Sequence, residues 1–191
     1  MPIDKNELRR VMGHFATGVT VITTVSSDGK HYGLTANAFT SVSLDPPLLL
    51  ISVDKKAESY PFFEESKVFT VNILADDQEA LSRRFAVSGG PKFEGVAYRP
   101  GANGAAILEG TLGYIECKLA ANYPGGDHTI YIGEIQEAAT VDRKPLLFFR
   151  GGSVCRRENS KCRSFEEVVG AWSPEFCTQF LFDRRPSIHR R

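Results

Sequence analysis

The sequence predicts a mainly β protein, with antiparallel strands closed into a barrel and a few short helices at its periphery. Three observations carry this. About seven strand-like stretches follow one another with turn signals between them. The helical stretches among them are brief. No alternating strand–helix–strand layout and no Gly-x-Gly-x-x-Gly or Walker loop is present, which sets aside a Rossmann fold and the simplest nucleotide-binding motifs.

Taken in order, residues 4 to 15 predict a helix, with Asp4 as N-cap, Glu7 at the capping-box position and Leu8, Val11, Met12 and Phe15 on one stripe that should pack against a sheet. Residues 18 to 25 (GVTVITTV) are β-branched. The turn Ser26-Ser-Asp-Gly-Lys30 then makes a hairpin with the strand that starts at His31. That strand leads into Gly33-Leu-Thr-Ala-Asn-Ala-Phe-Thr-Ser-Val-Ser43. Asp45-Pro-Pro47 forces a break, and Leu48 to Val53 reads as a core strand. A short helical piece between Lys55 and Phe63 should be limited by Pro61. Residues 67 to 74 predict a strand and 76 to 86 a helix with Ala80, Leu81, Arg84 and Phe85 in register. Ser88-Gly-Gly-Pro91 is a linker, and 95 to 106, rich in Gly, Pro and Asn, reads as loop. Strands 112 to 122 and 129 to 141 are joined through Tyr123-Pro-Gly-Gly-Asp-His128, and Leu146 to Phe149 is a last short strand.

Composition narrows the function classes. A chain of 191 residues that is 42% hydrophobic can bury one good core. With 23 basic and 23 acidic residues, the net charge of zero argues against nucleic acid or an anionic membrane as principal partner. No apolar run reaches the ~20 residues a membrane span needs, and the N-terminus lacks the pattern of a signal peptide, so a cytoplasmic location is expected. Four cysteines (117, 155, 162 and 177) show no Cys-x-x-Cys spacing, and His-Glu-x-x-His is absent. Reduced thiols and no metal site are expected.

The stretch from Gly33 to Ser43 packs short hydroxyl and amide side chains into strand-like sequence. Thr35, Asn37, Thr40, Ser41 and Ser43 offer hydrogen bonds without charge, which suits a flat, neutral, heteroatom-rich ligand better than a metal. An exposed edge strand with a polar outer face would read the same way. His128 on its own reads as a turn residue, with Asp127 bonding its own backbone. Arg83, Arg84, Lys55, Lys56 and Lys92 read singly as solvated surface charges.

The order of signals, Phe15-Ala-Thr-Gly-Val-Thr-Val-Ile-Thr23, Gly33 to Ser43, Asp45-Pro-Pro-Leu-Leu, Ser52-Val-Asp54, Phe69-Thr-Val-Asn-Ile-Leu74, Leu81-Ser-Arg-Arg-Phe-Ala86, Lys92-Phe93 and Gly126-Asp-His128, resembles the short-chain flavin reductase family, over nearly all of residues 8 to 152. The resemblance implies a Greek-key split barrel that binds FMN or FAD, a homodimer, and hydride transfer from NADH or NADPH to the flavin, often for release to a partner monooxygenase. Matched position by position, it implies that Thr35, Ala36 and Asn37 contact the flavin, with Ser41, Val42 and Ser43 continuing that wall. Ser52 and Asp54 match a second cradle segment, Ser59 the phosphate end, Phe85 an aromatic near the flavin, and Arg84 or Lys92 the counter-charge. His128 matches a histidine that positions the nicotinamide. Two other readings stay open: a flavoprotein that keeps FMN and passes electrons to a metal or protein acceptor, and a flavin-binding module without catalysis.

The resemblance divides the chain into a reductase domain, 1 to 152, and an extension, 153 to 191. The extension holds Trp172, three cysteines and a candidate short helix, 164 to 171, capped by Ser164 with Glu167 at the capping-box position. Its final Arg-Arg-Pro-Ser-Ile-His-Arg-Arg has a composition that does not favour a packed core. A docking arm and a terminus without function are both compatible with it.

Overall fold

The computed structural model describes residues 3 to 154, so the helix expected at 164 to 171 and the cysteines at 155, 162 and 177 lie outside the described residues. In chain order the elements are α1 (Lys5–Met12), β1 (Thr17–Gly18), β2 (Thr20–Val25), β3 (His31–Ala36), β4 (Phe39–Leu44), β5 (Pro47–Asp54), α2 (Tyr60–Ser66), β6 (Val68–Ile73), α3 (Glu79–Ala86), β7 (Tyr98–Pro100), β8 (Ala106–Leu108), β9 (Gly113–Gly125), β10 (His128–Thr140), β11 (Leu147–Phe149) and β12 (Gly152–Val154).

Seven strands form one antiparallel sheet in the order β3-β2-β6-β9-β10-β5-β4. The protein is therefore mainly β with few helices, as expected. The expected closure is not carried by hydrogen bonds, because no ladder joins β3 to β4 among the described residues. These two edge strands are nevertheless consecutive in the chain, linked only by Asn37 and Ala38. The stretch from Gly33 to Ser43 is thus two strands at opposite edges, broken at Asn37.

The pattern of buried side chains follows from what covers each face. On one face Ile22, Leu49, Ile51, Val53, Phe63, Phe69, Val71 and Tyr131 form the main core, each large apolar group contributing about 1.5–3 kcal/mol by burial. On the other face of β2, Val19 and Val21 pack with Leu74, Phe85, Leu108 and Leu146. β2 is buried on both sides, which explains its unbroken β-branched sequence. Cys117 is fully buried. Burial, with the adjacent Glu116, pushes its thiol up to about 12, so it is an inert packing residue.

Several local expectations are revised. Asp4 caps α1 by accepting from the Asn6 and Glu7 amides at 2.9 and 3.0 Å. Glu7 does not complete a capping box, since it holds Arg10 at 2.6 Å instead. The apolar stripe of α1 does not pack on the sheet: the helix has no buried residue, and Phe15 beyond it is 72% exposed. Pro61 begins α2 instead of limiting a helix, since the first turn needs no amide from it. Residues 95 to 106 are not wholly loop, because β7 and the start of β8 form a small hairpin there. The β9–β10 turn tightens to Gly126 and Asp127.

At the β3 end, His31 is half-buried among Phe93 and Tyr98, with ring centroids 5.8 and 5.0 Å away, and its Nδ1 has no partner. Burial lowers its pKa from the ordinary 6.5, so the folded state favours the neutral ring. Its contribution to stability is therefore complete above about pH 6.5 and is lost as the pH falls through the lower folded value. Urea midpoints at about pH 7.5 and pH 5.5 should differ less for His31→Phe than for the unaltered protein. An equal pH response in the two would rule out His31 as the source.

Candidate functional site

The end of β3 and the C-terminal half of α3 enclose a cleft of about 430 Å³, in the size range of small-molecule sites. Thr35, Ala36 and Asn37 form one wall. Ser82, Arg83 and Ala86 form another, with Val19, Phe148 and Gly151 completing it. Strand and helix are pinned by the Thr35 hydroxyl, which donates to the Ser82 carbonyl at 2.6 Å. Beneath them Gly33 is required, because a Cβ there would lie 2.9 Å from the Phe85 ring. The Asn37 amide is exposed and makes no side-chain hydrogen bond among the described residues, so its donors and acceptor remain available to a ligand.

A second group adjoins the first. The Ser52 amide donates to the Ala38 carbonyl at 3.1 Å, which seats the Asn37–Ala38 link against β5. Alternation along β5 buries Leu49, Ile51 and Val53 and turns Leu50, Ser52 and Asp54 to the other face. Ladder partners share a face, so Ser52 stands beside Ile130, Asp54 beside His128, and Thr40 beside Leu50. The Ser41, Ser43 and Ser52 hydroxyls donate to no protein group among the described residues. Val42 is 49% exposed, and β4 carries a register shift between Ser41 and Ser43.

His128 is held from one side. Its Nδ1 lies 2.7 Å from Asp127 Oδ1, and the ring lowers the pKa of that carboxyl by hydrogen bonding and by charge. The turn itself is fastened to the end of β5: the Lys55 amide donates to the Asp127 carbonyl at 3.1 Å and Lys55 Nζ to the Gly126 carbonyl at 2.7 Å. Asp54 accepts from the Lys56 amide at 2.9 Å. With Nδ1–H donated to Asp127, the neutral ring presents Nε2 as an acceptor.

The remaining expected residues are distributed as follows. Ser59 is 2% exposed, and its hydroxyl has no partner. Lys92 is half-buried, its Nζ donating to the Gly33 carbonyl at 3.2 Å, with burial lowering its pKa. Arg84 points away from the cleft to the Glu94 carbonyl at 2.7 Å. Phe85 packs beneath β3, edge-on to Phe93, and does not line the cleft. The helix turn accounts for this, since the face carrying Leu81 and Phe85 points into the core while Ser82 and Ala86 face the cleft. Arg83, Ser82, Ala86, Phe148 and Gly151 were not foreseen as lining residues. The spacing of four between Ser82 and Ala86 was the only local signal for part of that wall.

The cleft, lined by apolar Val19, Ala36, Ala86 and Phe148 together with the Asn37 amide, suits a flat heterocycle; the orphaned Ser59 hydroxyl lies outside this lining and is of a type that binds an anion. No group of three or more His, Cys, Asp or Glu able to hold a metal occurs among the described residues. Residues 12–155 match the family described as flavin reductase like domain. The reductase subunit of a flavin-dependent monooxygenase from Mycobacterium tuberculosis is 41% identical over 152 residues, covering 78% of this chain and 81% of the relative. An FMN reductase (NADH) of Agrobacterium fabrum is 40% identical over 148 residues, covering 78% and 84%. Among solved structures, an NADH:FAD oxidoreductase of Streptomyces globisporus, in complex with NAD and FAD fragments, superposes with a TM-score of 0.76 at 39% identity, covering 83% of this chain and 96% of that one. The fold, the cleft and these relatives agree: the chain belongs to the flavin reductase like domain family.

Proposed function

We infer that this chain is a nicotinamide-dependent flavin reductase, taking hydride from NADH or NADPH for FMN or FAD and supplying reduced flavin to a partner monooxygenase. The observation that carries this is the Thr35–Asn37 cleft, whose Asn37–Ala38 link is bonded to β5, the strand that pairs with His128 at Asp54. A bound flavin supplies the electron-accepting ring, so the protein needs no nucleophile or base pair. Thr35, Ala36 and Asn37 hold one edge of the ring system, with Ser41, Val42, Ser43 and Ser52 continuing the wall. Asp54 fixes the start of the following loop, and Ser59 and Lys92 receive the phosphate end. Arg84 and Phe85 act from behind, by anchoring the 92–94 segment and filling the space under β3. His128 Nε2 accepts from a carboxamide N–H of the nicotinamide, and Asp127 fixes the tautomer that permits it.

The sheet is read as a split barrel whose seam runs between β3 and β4. A second copy of the chain would cover Val42, Leu44 and Tyr123, which are 49, 66 and 56% exposed. The family relationship supports this homodimer. Residues 1 to 152 would carry the activity, with 153 to 191 as a separate extension. Use of reduced nicotinamide and a free buried Cys117 fit a cytoplasmic setting. Oxidation of NADH or NADPH by the purified protein should depend on added FMN or FAD; no stimulation by either flavin would overturn the assignment.

A further inference from the structure

The loop after α3 is held against the segment before α2 by a single carboxylate. Glu58 Oε2 accepts from the Gly89 amide at 3.1 Å. Gly89 and Gly90 have φ of +80° and +78°, which L side chains rarely adopt, and the Gly89 amide of this turn faces Glu58. Lys92 follows in the same loop, half-buried, and the Glu58 charge supports its ammonium form against the effect of burial. The neighbouring Ser59 hydroxyl is buried without a partner. A backbone amide, an ammonium and an idle hydroxyl are the donor types that bind a phosphate. In this chain the anion already bonded to that amide, and acting by charge on Lys92, is its own glutamate.

We propose that Glu58 is an internal competitor for the phosphate end of the flavin, its carboxylate holding the Gly89 amide, which the phosphate must take over on binding. The proposal rests on the reading of Ser59 and Lys92 as the phosphate end. The exchange lowers affinity for a phosphorylated flavin selectively, because riboflavin, lacking the phosphate, has no reason to displace the glutamate. Its use is in turnover, since a reductase that hands its product to another enzyme gains from a phosphate grip that an internal anion can reclaim.

Glu58→Gln tests this cleanly, because the amide oxygen still accepts from Gly89 while the charge is gone. Flavin fluorescence titrations should show FMN binding about fivefold tighter than in the unaltered protein, with riboflavin unchanged within about twofold. Equal shifts for both flavins, or none for either, would overturn the proposal. Lys92→Met probes the underlying placement and should weaken FMN about fivefold while sparing riboflavin. If it shifts neither, the phosphate lies elsewhere and the proposal falls, yet the reductase assignment stands as long as nicotinamide oxidation still requires added flavin.

Discussion

His128→Ala is expected to lower kcat/KM for the reduced nicotinamide by about 10- to 100-fold while leaving the flavin dissociation constant unchanged. The imidazole is held through the turn that precedes it: Asp127 takes Nδ1 at 2.7 Å, and Lys55 ties the turn to β5 through two hydrogen bonds. One well-placed hydrogen bond to a substrate amide is worth about 1.5–3 kcal/mol when its partner is otherwise left unpaired, which is the expected loss. Steady-state kinetics with nicotinamide as the varied substrate, alongside fluorescence titration of flavin, separates the two steps. Asp127→Asn should give a smaller loss of the same kind, because the ring remains but its tautomer is no longer enforced. A His128→Ala protein that loses flavin affinity in proportion to activity would assign the residue to flavin binding.

Asn72→Ala is expected to cost about 3 kcal/mol of stability. Asn72 is completely buried. Its amide donates to the Val21 carbonyl, the Thr23 hydroxyl and the Ala106 carbonyl at 3.2 to 3.3 Å, and its oxygen accepts from the Leu108 amide at 2.8 Å. Alanine would orphan the Leu108 N–H inside the protein and remove a donor from the Val21 and Ala106 carbonyls. Urea unfolding followed by far-ultraviolet circular dichroism measures the loss directly. A change below about 1 kcal/mol would show that water enters to replace the side chain.

Asn72 also shows why part of the fold was illegible. Residues 95 to 106 have turn-forming composition and no apolar alternation, so local patterning predicts loop. What holds β7 and β8 in place comes from elsewhere in the chain: Asn72 and Thr23 bond Ala106 and Leu108, and buried Glu116 accepts from the Asn103 amide at 3.0 Å. Such partners are 13 to 83 residues away, beyond any periodicity. By contrast β2, β5 and β6 were readable because burial imposes apolar or β-branched residues on the strand itself, and the Asp4 cap because it acts within three residues.

The site divides in the same way. Thr35 and Asn37 were visible within an unusual run of short donors and Ala36 through the family resemblance, and the structure brings the three into one cleft. The break at Asn37 was not visible, because only the sheet order reveals that one stretch serves two edges. The outward turn of Arg84 and the inward turn of Phe85 depend on which face of α3 meets β3. The bare apolar stripe of α1 has the periodicity of a packed helix, and its exposure depends on which elements lie over it.

The adjacency of β3 and β4 in the chain, set against their separation in the sheet, also constrains how the protein folds. The hairpins β2–β3 and β4–β5 close over short loops, but they are linked through the sheet only by β6, β9 and β10, which arrive much later in the sequence. The recess beside Asn37 therefore has no second wall until α3 packs against β3, and the adjoining Ser52–His128 face is absent until β10 pairs with β5, a contact bridging His128 and Asp54 across more than a third of the chain. Such long-range closure is slow compared with hairpin formation. Competence to bind flavin is consequently a late event in folding, and an intermediate with both hairpins formed would carry every donor of the Thr35–Ser43 wall without yet possessing a pocket.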